Sequence, residues 1–402
     1  MGERQPFLIV GGGIGGLTAA IALAAKGLPV RVVERAPQLS EVGAGVQLAP
    51  NAGRVLRRLG LEPAITATAV EPAAIDLFDG RTGRRLTTIA GDRFRTGFGI
   101  PYRVIHRADL QAALLAAVKR MGIPLQLGAA IESVVPQAGS AVVSIRTPTG
   151  SDAVAAEAVI AADGVRSLLR AAIPSSAKAV PTNRTAWRTM LGAGAARQLI
   201  PADRVGVWLG PGAHLVHYPV SRGEAINLVA IVEDTFNGDG WNVPGDPRML
   251  AAKFSGWSDR PRQIIDLPSA WQRFAVATID AERPWLNERL VLLGDAAHAM
   301  PPFLAQGAAM AIEDAAVLAE ALSAASDTPA ALRRYVATRQ PRAVAVARAS
   351  RTAGRRFHMR GAAAVARNLA LRLAGSRLIL AQHRAIYGWR GPGDAPAASR
   401  PA

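Results

Sequence analysis

The sequence predicts an α/β fold in which a Rossmann-like, parallel-sheet unit is interleaved with a mainly antiparallel β domain and followed by a helical C-terminal segment. Three observations predict it. The apolar run Phe7-Leu8-Ile9-Val10 passes straight into the glycine cluster Gly11 to Gly16. Two further apolar runs, Ala158 to Ala161 and Arg289 to Leu293, lead into Asp163-Gly164 and Gly294-Asp295. Between them, residues 180–282 hold short β-like runs, frequent glycine and proline breaks and the tryptophans 187, 208, 241, 257 and 271.

In chain order, the first strand is followed by an alanine- and leucine-rich helix, Leu17 to Lys26, that stops at Gly27, and then by a strand from Val30 that ends at Glu34. This is a βαβ unit with G-x-G-x-x-G at Gly11, Gly13 and Gly16 and an acid 23 residues after the first glycine. Gly11 permits the tight turn, Gly13 lets a pyrophosphate approach the backbone, and Gly16 lets helix pack on strand. The helix N-terminus offers free N–H groups to phosphate, and Glu34 can accept hydrogen bonds from ribose hydroxyls. The spacing leaves FAD and NAD equally open.

Next, Val42 to Gln47 reads as a glycine-containing loop, and Asn51 to Leu59 as a short helix closed by Gly60. Residues 73–105 alternate apolar and polar around glycine turns, a β-rich interruption of the nucleotide unit. Asp109 reads as the N-cap of a helix to Arg120, with strands at 131–135, 141–146 and 158–161. Gly307 to Leu322 reads as a helix, Pro329 to Arg384 as mostly helical, and Gly388 to Ala402 as a disordered end. The expected domains are 1–72, 101–179 and 283–350 for the nucleotide-binding unit, 73–100 and 180–282 for the β-rich unit, and 351–402 for the C-terminal segment.

Composition narrows the function. A 402-residue chain that is 50% hydrophobic and 19% charged has ample apolar side chain for a large core. The absence of cysteine excludes disulfides, thiolate metal sites, iron–sulfur clusters and a cysteine nucleophile, and fits a cytoplasmic location. No apolar run approaches the ~18 residues of a membrane span, and the glycine cluster argues against a signal peptide. The net charge of +17 raises the question of nucleic acid. Arginine is scattered through alanine-rich sequence without a nucleic-acid motif, so no such partner is expected. Residues 351–402 hold ten arginines against one acid, Asp394. The six histidines form no H-E-x-x-H, so no metal is expected, and there is no G-x-S-x-G elbow.

Taken together, GGGIGG with Glu34, IAADGVRSLLR at 160–170 and LLGDAAHAMPPFLAQGAAMAIEDA at 292–315 resemble the dinucleotide, DG and GD motifs of the single-component FAD-dependent aromatic hydroxylases. His106-Arg107-Ala108-Asp109-Leu110 is similar to that family's H-R-x-D-L segment, whose arginine contacts FAD. Glu41 to Gln47 and Leu209 to Pro219 resemble most the salicylate and 3-hydroxybenzoate hydroxylase branch. The resemblance spans roughly residues 5–350 and implies the GR2-type flavoprotein hydroxylase fold. It implies non-covalent FAD held by Gly11, Gly13, Gly16, Glu34, Arg35, Gly45, Val46, Arg107, Asp163, Asp295, Gly307, Ala308, Ala309 and Met310. It also implies NADH or NADPH as co-substrate, O2 as oxidant, and a small phenolic or aromatic acid beside Gln47, His214, Tyr218, Pro302 and Phe303, with a homodimer left open. The implied reaction is hydroxylation through a flavin C4a-hydroperoxide.

Residue chemistry adds to this. In a strand, positions 214, 216 and 218 share one face and 217 the other, so His214 and Tyr218 can meet one bound ring while His217 cannot. His214, with an intrinsic pKa near ~6.5, is the candidate base for the phenol and Tyr218 its partner. A structural or flavin-facing role suits His298. Asp163 and Asp295 each follow a buried run, where open α/β sheets bind ligands, and Asp295 is expected at the ribityl chain. Gln306 to Met310 opens a helix with small residues, so its N–H groups can stabilise negative charge on reduced flavin. Two positions depart from the family: Ala299 stands where proline is usual after the GD histidine, and Ala161 where glycine is frequent. An NAD-dependent dehydrogenase would explain GGGIGG and Glu34 but not the DG and GD segments. Two further functions fit a flavin-binding chain: an NAD(P)H oxidase that does not hydroxylate, and a non-enzymatic anion-binding flavoprotein.

Overall fold

The computed structural model describes residues 5–39, 44–236 and 242–394. Its first sheet has six strands in the order Leu286–Asn287, Leu290–Leu292, Ala158–Ala161, Phe7–Val10, Val30–Glu34 and Leu125–Leu127. The last five run parallel and the first pairs antiparallel at the edge. Phe7–Val10 and Ala158–Ala161 are buried at every position, because helices and the apolar residues Ala141, Val143 and Ile145 of strand Ser140–Thr147 share one core with them and no polar alternation can survive there. Helices Ile14–Ala24, Arg107–Arg120 and Gly307–Ser323 pack together against it. The order in which strands are added reverses about Phe7–Val10, so the carboxyl ends of four neighbouring parallel strands deliver the glycine turn, Glu34, Asp163 and Asp295 to one edge.

The second sheet has eight strands, ordered Asn242–Gly245, Trp271–Thr278, Val180–Gly192, Ala225–Glu233, Ala213–Val220, Arg204–Gly210, Ala74–Asp79 and Arg85–Ala90. Only the pair Arg204–Gly210 and Ala74–Asp79 is parallel. One face buries Trp187, Trp208, Trp257 and Trp271 with Phe254 beneath helices Pro247–Lys253 and Asp259–Asp266. On the other face, register aligns His214, Ile231, Ala186 and Phe274 in one row, and Tyr218, Asn227 and Met190 in another. A smaller antiparallel sheet is formed by Ala130–Gln137, Ser140–Thr147 and Gly150–Ala156.

Four local expectations are corrected. Gly45–Leu48 is a strand paired antiparallel with Arg103–His106, not a loop, because the ladder to a distant segment supplies hydrogen bonds that no local pattern announces. Glu41, Val42, Gly43 and Trp241 lie outside the described residues. The helix expected from Asp109 begins at Arg107 with His106 at its N-cap, and Asp109 sits in its first turn, where a negative charge suits the dipole. Within the stretch read as β-rich, Asp92–Phe98 is helical. Finally, residues 388–394 of the expected disordered end are ordered. The Arg339 and Arg342 guanidiniums lie 5.4 and 5.3 Å from the Trp389 ring centre, and the Trp389 carbonyl accepts from Arg54. Residues 395–402 lie outside the described part. The C-terminal segment is built of helices Thr328–Phe357 and Gly361–Tyr387. Among the described residues, no helix is long and apolar enough to cross a membrane.

Candidate active site

The glycine turn divides its three glycines by what each must clear. Gly11 has φ +112°, and a Cβ there would stand 2.5 Å from the Ala162 carbonyl oxygen. A Cβ on Gly16 would collide with the Gly11 carbonyl. Gly13 differs, since a Cβ there would meet nothing within 4 Å. The protein itself requires the first and third glycines, whereas the space at Gly13 is room for a ligand beside the free N–H groups of helix Ile14–Ala24. Glu34 is held rigidly, its Oε2 accepting from Gly12 N–H at 2.7 Å and its Oε1 from Ala36 N–H at 2.8 Å. Each carboxylate oxygen keeps a further lone pair able to accept another hydrogen bond. Gln111, which the sequence reading missed, braces the turn by donating to the Gly12 carbonyl at 3.1 Å. Its only signal was its place one helical turn after Arg107. Arg107 donates its N–H to the Ala44 carbonyl, Val46 pairs with Ile105, and Arg35 is exposed beside Glu34.

This division sets a clean test. Gly13→Val should leave the apoprotein folded, because a Cβ there meets no protein atom within 4 Å, yet abolish FAD retention by filling the pyrophosphate's place. Circular dichroism and flavin absorbance after gel filtration read the two effects separately. Retained flavin would refute it.

The DG and GD segments meet at the same edge. Asp163 Oδ2 accepts from Leu168 N–H at 3.1 Å, while its Oδ1 is buried without a partner among the described residues. Burial raises its pKa, opposed by hydrogen bonds from Ser167 and backbone N–H groups. Arg170, also missed, joins the two segments by donating to the carbonyls of Val165 and Ala296. Exposed Asp295 opens the short helix Asp295–His298, and its Oδ1 lies 3.7 Å from where a Cβ on Gly307 would stand. Helix Gly307–Ser323 has neither a side-chain cap nor an acid in its first turn. The Met310 N–H is already bonded to the Gln306 carbonyl at 2.8 Å, so the free donors are those of Gly307, Ala308 and Ala309, and Met310 serves the core.

Beneath this helix lies a buried polar network. Asp314 accepts from His298 Nε2 at 2.6 Å and from Arg339 Nε at 2.6 Å. Glu313 accepts from Arg339, from both ends of the Arg342 guanidinium and from Asn51, which also donates to Gln306. Burial alone would raise the Asp314 pKa, but His298 and Arg339 hold it down to about 2. His298 is therefore spent on fixing the GD segment, with Trp285 against its ring.

On the facing sheet, alternation places His214 and Tyr218 on the inner face and His217 on the outer. His217 is buried without a hydrogen-bond partner among the described residues, and burial and then Arg260 lower its pKa to about 3. His214 Nδ1 lies 2.9 Å from His358 Nε2, leaving Nε2 without a protein partner among the described residues. Burial, then His358 and Arg184, lowers its pKa well below the usual 6.5. Phe303 packs between the His214 ring, 5.4 Å away, and Gly354, and half-buried Pro302 opens its short helix. Tyr218 lies so close to Gly45 that any side chain there would strike its ring. Tyr102 donates to Gln47, which also bonds Tyr218, and Asn227 accepts from Gly45 N–H at 2.8 Å. Arg188 was also missed. It stands on the same inner face, in the row of Val216 and Val229, and makes no hydrogen bond or ion pair among the described residues. Its guanidinium lies 5.2 Å from the Phe274 ring centre.

Room at Gly13, an orphaned oxygen on Asp163 and three uncapped N–H groups at Gly307 lie along a single edge, which a dinucleotide reaching from the glycine turn to that helix would satisfy. The class so defined is that of the FAD-dependent flavoproteins. The chain belongs to the FAD binding domain family, whose model matches residues 4–350. It is 36% identical over 372 residues to the 3-hydroxybenzoate 6-hydroxylase of Polaromonas naphthalenivorans strain CJ2, covering 90% of each chain. It is 35% identical over 367 residues to the 3-amino-4-hydroxybenzoate 2-monooxygenase PtnB3 of Streptomyces platensis, covering 89% of each. Among solved structures, a salicylate hydroxylase substrate complex shares the fold with a TM-score of 0.80 at 24% identity, over 96% of both chains.

Proposed function

We propose that this FAD-dependent monooxygenase hydroxylates a small phenolic acid, with NADH or NADPH as reductant and O2 as oxidant. The observation that carries the reading is that His214 and Tyr218 share one sheet face, His214 beside Phe303 and Tyr218 against Gly45 and Gln47. FAD, when bound, would supply the redox chemistry: hydride acceptance from the nicotinamide and delivery of one oxygen atom of O2 to an electron-rich ring. The protein's part is to make the ring electron-rich. His214 enters neutral, because burial disfavours its charged form, and accepts the phenol proton at Nε2. Burial raises the Tyr218 pKa, so its hydroxyl stays protonated and donates a hydrogen bond. Arg188, which makes no hydrogen bond or ion pair among the described residues, offers its guanidinium to a carboxylate on the same ring. The named substrates of the relatives, 3-hydroxybenzoate and 3-amino-4-hydroxybenzoate, carry both a phenol and a carboxylate.

The test is NAD(P)H oxidation by the purified protein across hydroxybenzoates and the matching carboxylate-free phenols, with product and peroxide both quantified. Hydroxylated product from the acids, at lower KM than from the phenols, is expected. Peroxide alone from every compound would favour the oxidase reading.

Ala299 bears on how much peroxide forms. Its φ of −50° already lies in the range a proline ring imposes. Ala299→Pro should therefore fit and stiffen the wall after His298, raising the ratio of product to peroxide by limiting water entry. A wild-type protein already near full coupling on its best substrate would sink this idea.

A further inference from the structure

We propose that His358 and Glu233 form a proton path that carries the phenol proton from His214 to the protein surface. The proposal rests on the reading of His214 as the base, and extends it from one residue to a route.

A base this deep needs an exit. His214 is 2% exposed, and its ring is packed by Phe303 and Phe357, so water has little access to the imidazole. Its Nδ1 instead meets His358 Nε2 at 2.9 Å. His358 is 5% exposed and presents its other nitrogen, Nδ1, 3.5 Å from Glu233 Oε1. That last gap exceeds a hydrogen bond and closes with a small side-chain shift. The Glu233 side chain is 37% exposed and lines an open surface depression with Asn183, Arg184, Asp234 and Thr235. Three groups thus connect the interior to solvent.

The backbone keeps them in line. His358 ends helix Thr328–Phe357, its N–H bonded to the Gly354 carbonyl. Its own carbonyl accepts from Gly212 N–H at 3.4 Å, and the Gly212 carbonyl accepts from Glu233 N–H at 2.8 Å. One residue of the hairpin between the strands of His214 and Trp208 therefore ties both relay groups together.

The proton count closes. The substrate O–H proton passes to His214 Nε2, the His214 Nδ1 proton to His358 Nε2, and the His358 Nδ1 proton to the Glu233 carboxylate and out to water. Each imidazole stays neutral overall and ends in its other tautomer. The reverse passage returns a proton to the product's phenolate oxygen and resets both rings. The charged groups facing His358 are Arg184 from strand Val180–Gly192, Arg360 from the turn after the helix, and Glu233, with His214 on the inner side. Burial and then Arg184 lower the His358 pKa to about 4, so at neutral pH it passes a proton on without keeping it.

The experiment uses the holoenzyme. Phenolate formation from a hydroxylated benzoate is followed by stopped-flow absorbance, and proton release by an indicator dye, across pH, for wild type, His358→Gln, His358→Ala and Glu233→Gln. His358→Gln keeps an acceptor for His214 Nδ1 but cannot relay. Both His358 variants should form phenolate and release protons at least tenfold more slowly with FAD retained, and added imidazole should restore His358→Ala. Glu233→Gln should slow release more than phenolate formation. Wild-type rates and pH profile in His358→Gln would overturn the path and leave His358 a structural support. Failure of the wild type to hydroxylate any phenol would instead overturn the reading of the site, a separate outcome.

Discussion

Replacing His214 by alanine is expected to lower the hydroxylation rate by about 10² to 10⁴, the usual loss when a general base is removed, while FAD stays bound. The separation follows from position. His214 stands on the facing sheet, and its contacts are His358, Phe303 and Phe357, none of them in the glycine turn or at Asp295. Because the group is buried and neutral, the loss should fall on kcat and on phenolate formation more than on KM. Raising the pH toward the substrate's own phenol pKa should recover part of the rate in the variant. His214→Asn keeps a polar group of similar size and controls for the cavity. Unchanged turnover on the correct phenol would remove His214 from the chemistry.

Arg339→Leu is expected to cost about 3–5 kcal/mol of stability, the range found when one partner of a buried ion pair is deleted. Arg339 is 1% exposed and bonds Asp314 and Glu313 together, so its loss leaves two carboxylates short of positive charge in the core. Arg342 still covers Glu313, and only His298 and the Gly294 N–H remain on Asp314. Arg339→Lys should rescue little, since an ammonium cannot fork to both acids. The same network governs acid stability. With its pKa held at about 2, against ~3.9 in an unfolded chain, Asp314 contributes in full above about pH 4 and loses its contribution as pH falls toward 2. Urea denaturation at pH 7 and at pH 3 checks both statements. An unchanged midpoint in Arg339→Leu would show the network to be dispensable.

How much of this was legible depended on the range of the interaction. The glycine turn could be read because φ and Cβ clearance act within a few residues, and the structure separates Gly11 and Gly16 from Gly13 on those grounds. The split of His214 and Tyr218 from His217 could be read because side chains in a strand alternate regardless of what the strand pairs with. Boundaries were less legible. The helix at Arg107 and the strand at Gly45–Leu48 depend on pairing partners elsewhere, and their own residues favour neither outcome strongly.

What the sequence by itself determined is the local chemistry: a glycine turn at a helix N-terminus, an acid at the end of the second strand, two Asp-bearing strand ends and a face carrying histidine and tyrosine. Only the tertiary structure decided which of these groups have partners. His298 is occupied because Asp314 reaches it from the next helix, and His214 meets His358 from 144 residues away. Trp389, in a segment whose composition suggests disorder, is held by two arginines of helix Thr328–Phe357. Such contacts leave no periodicity in one chain, since a hydrogen bond across a packed interface depends on where two backbones are brought together and not on the residues that flank either end.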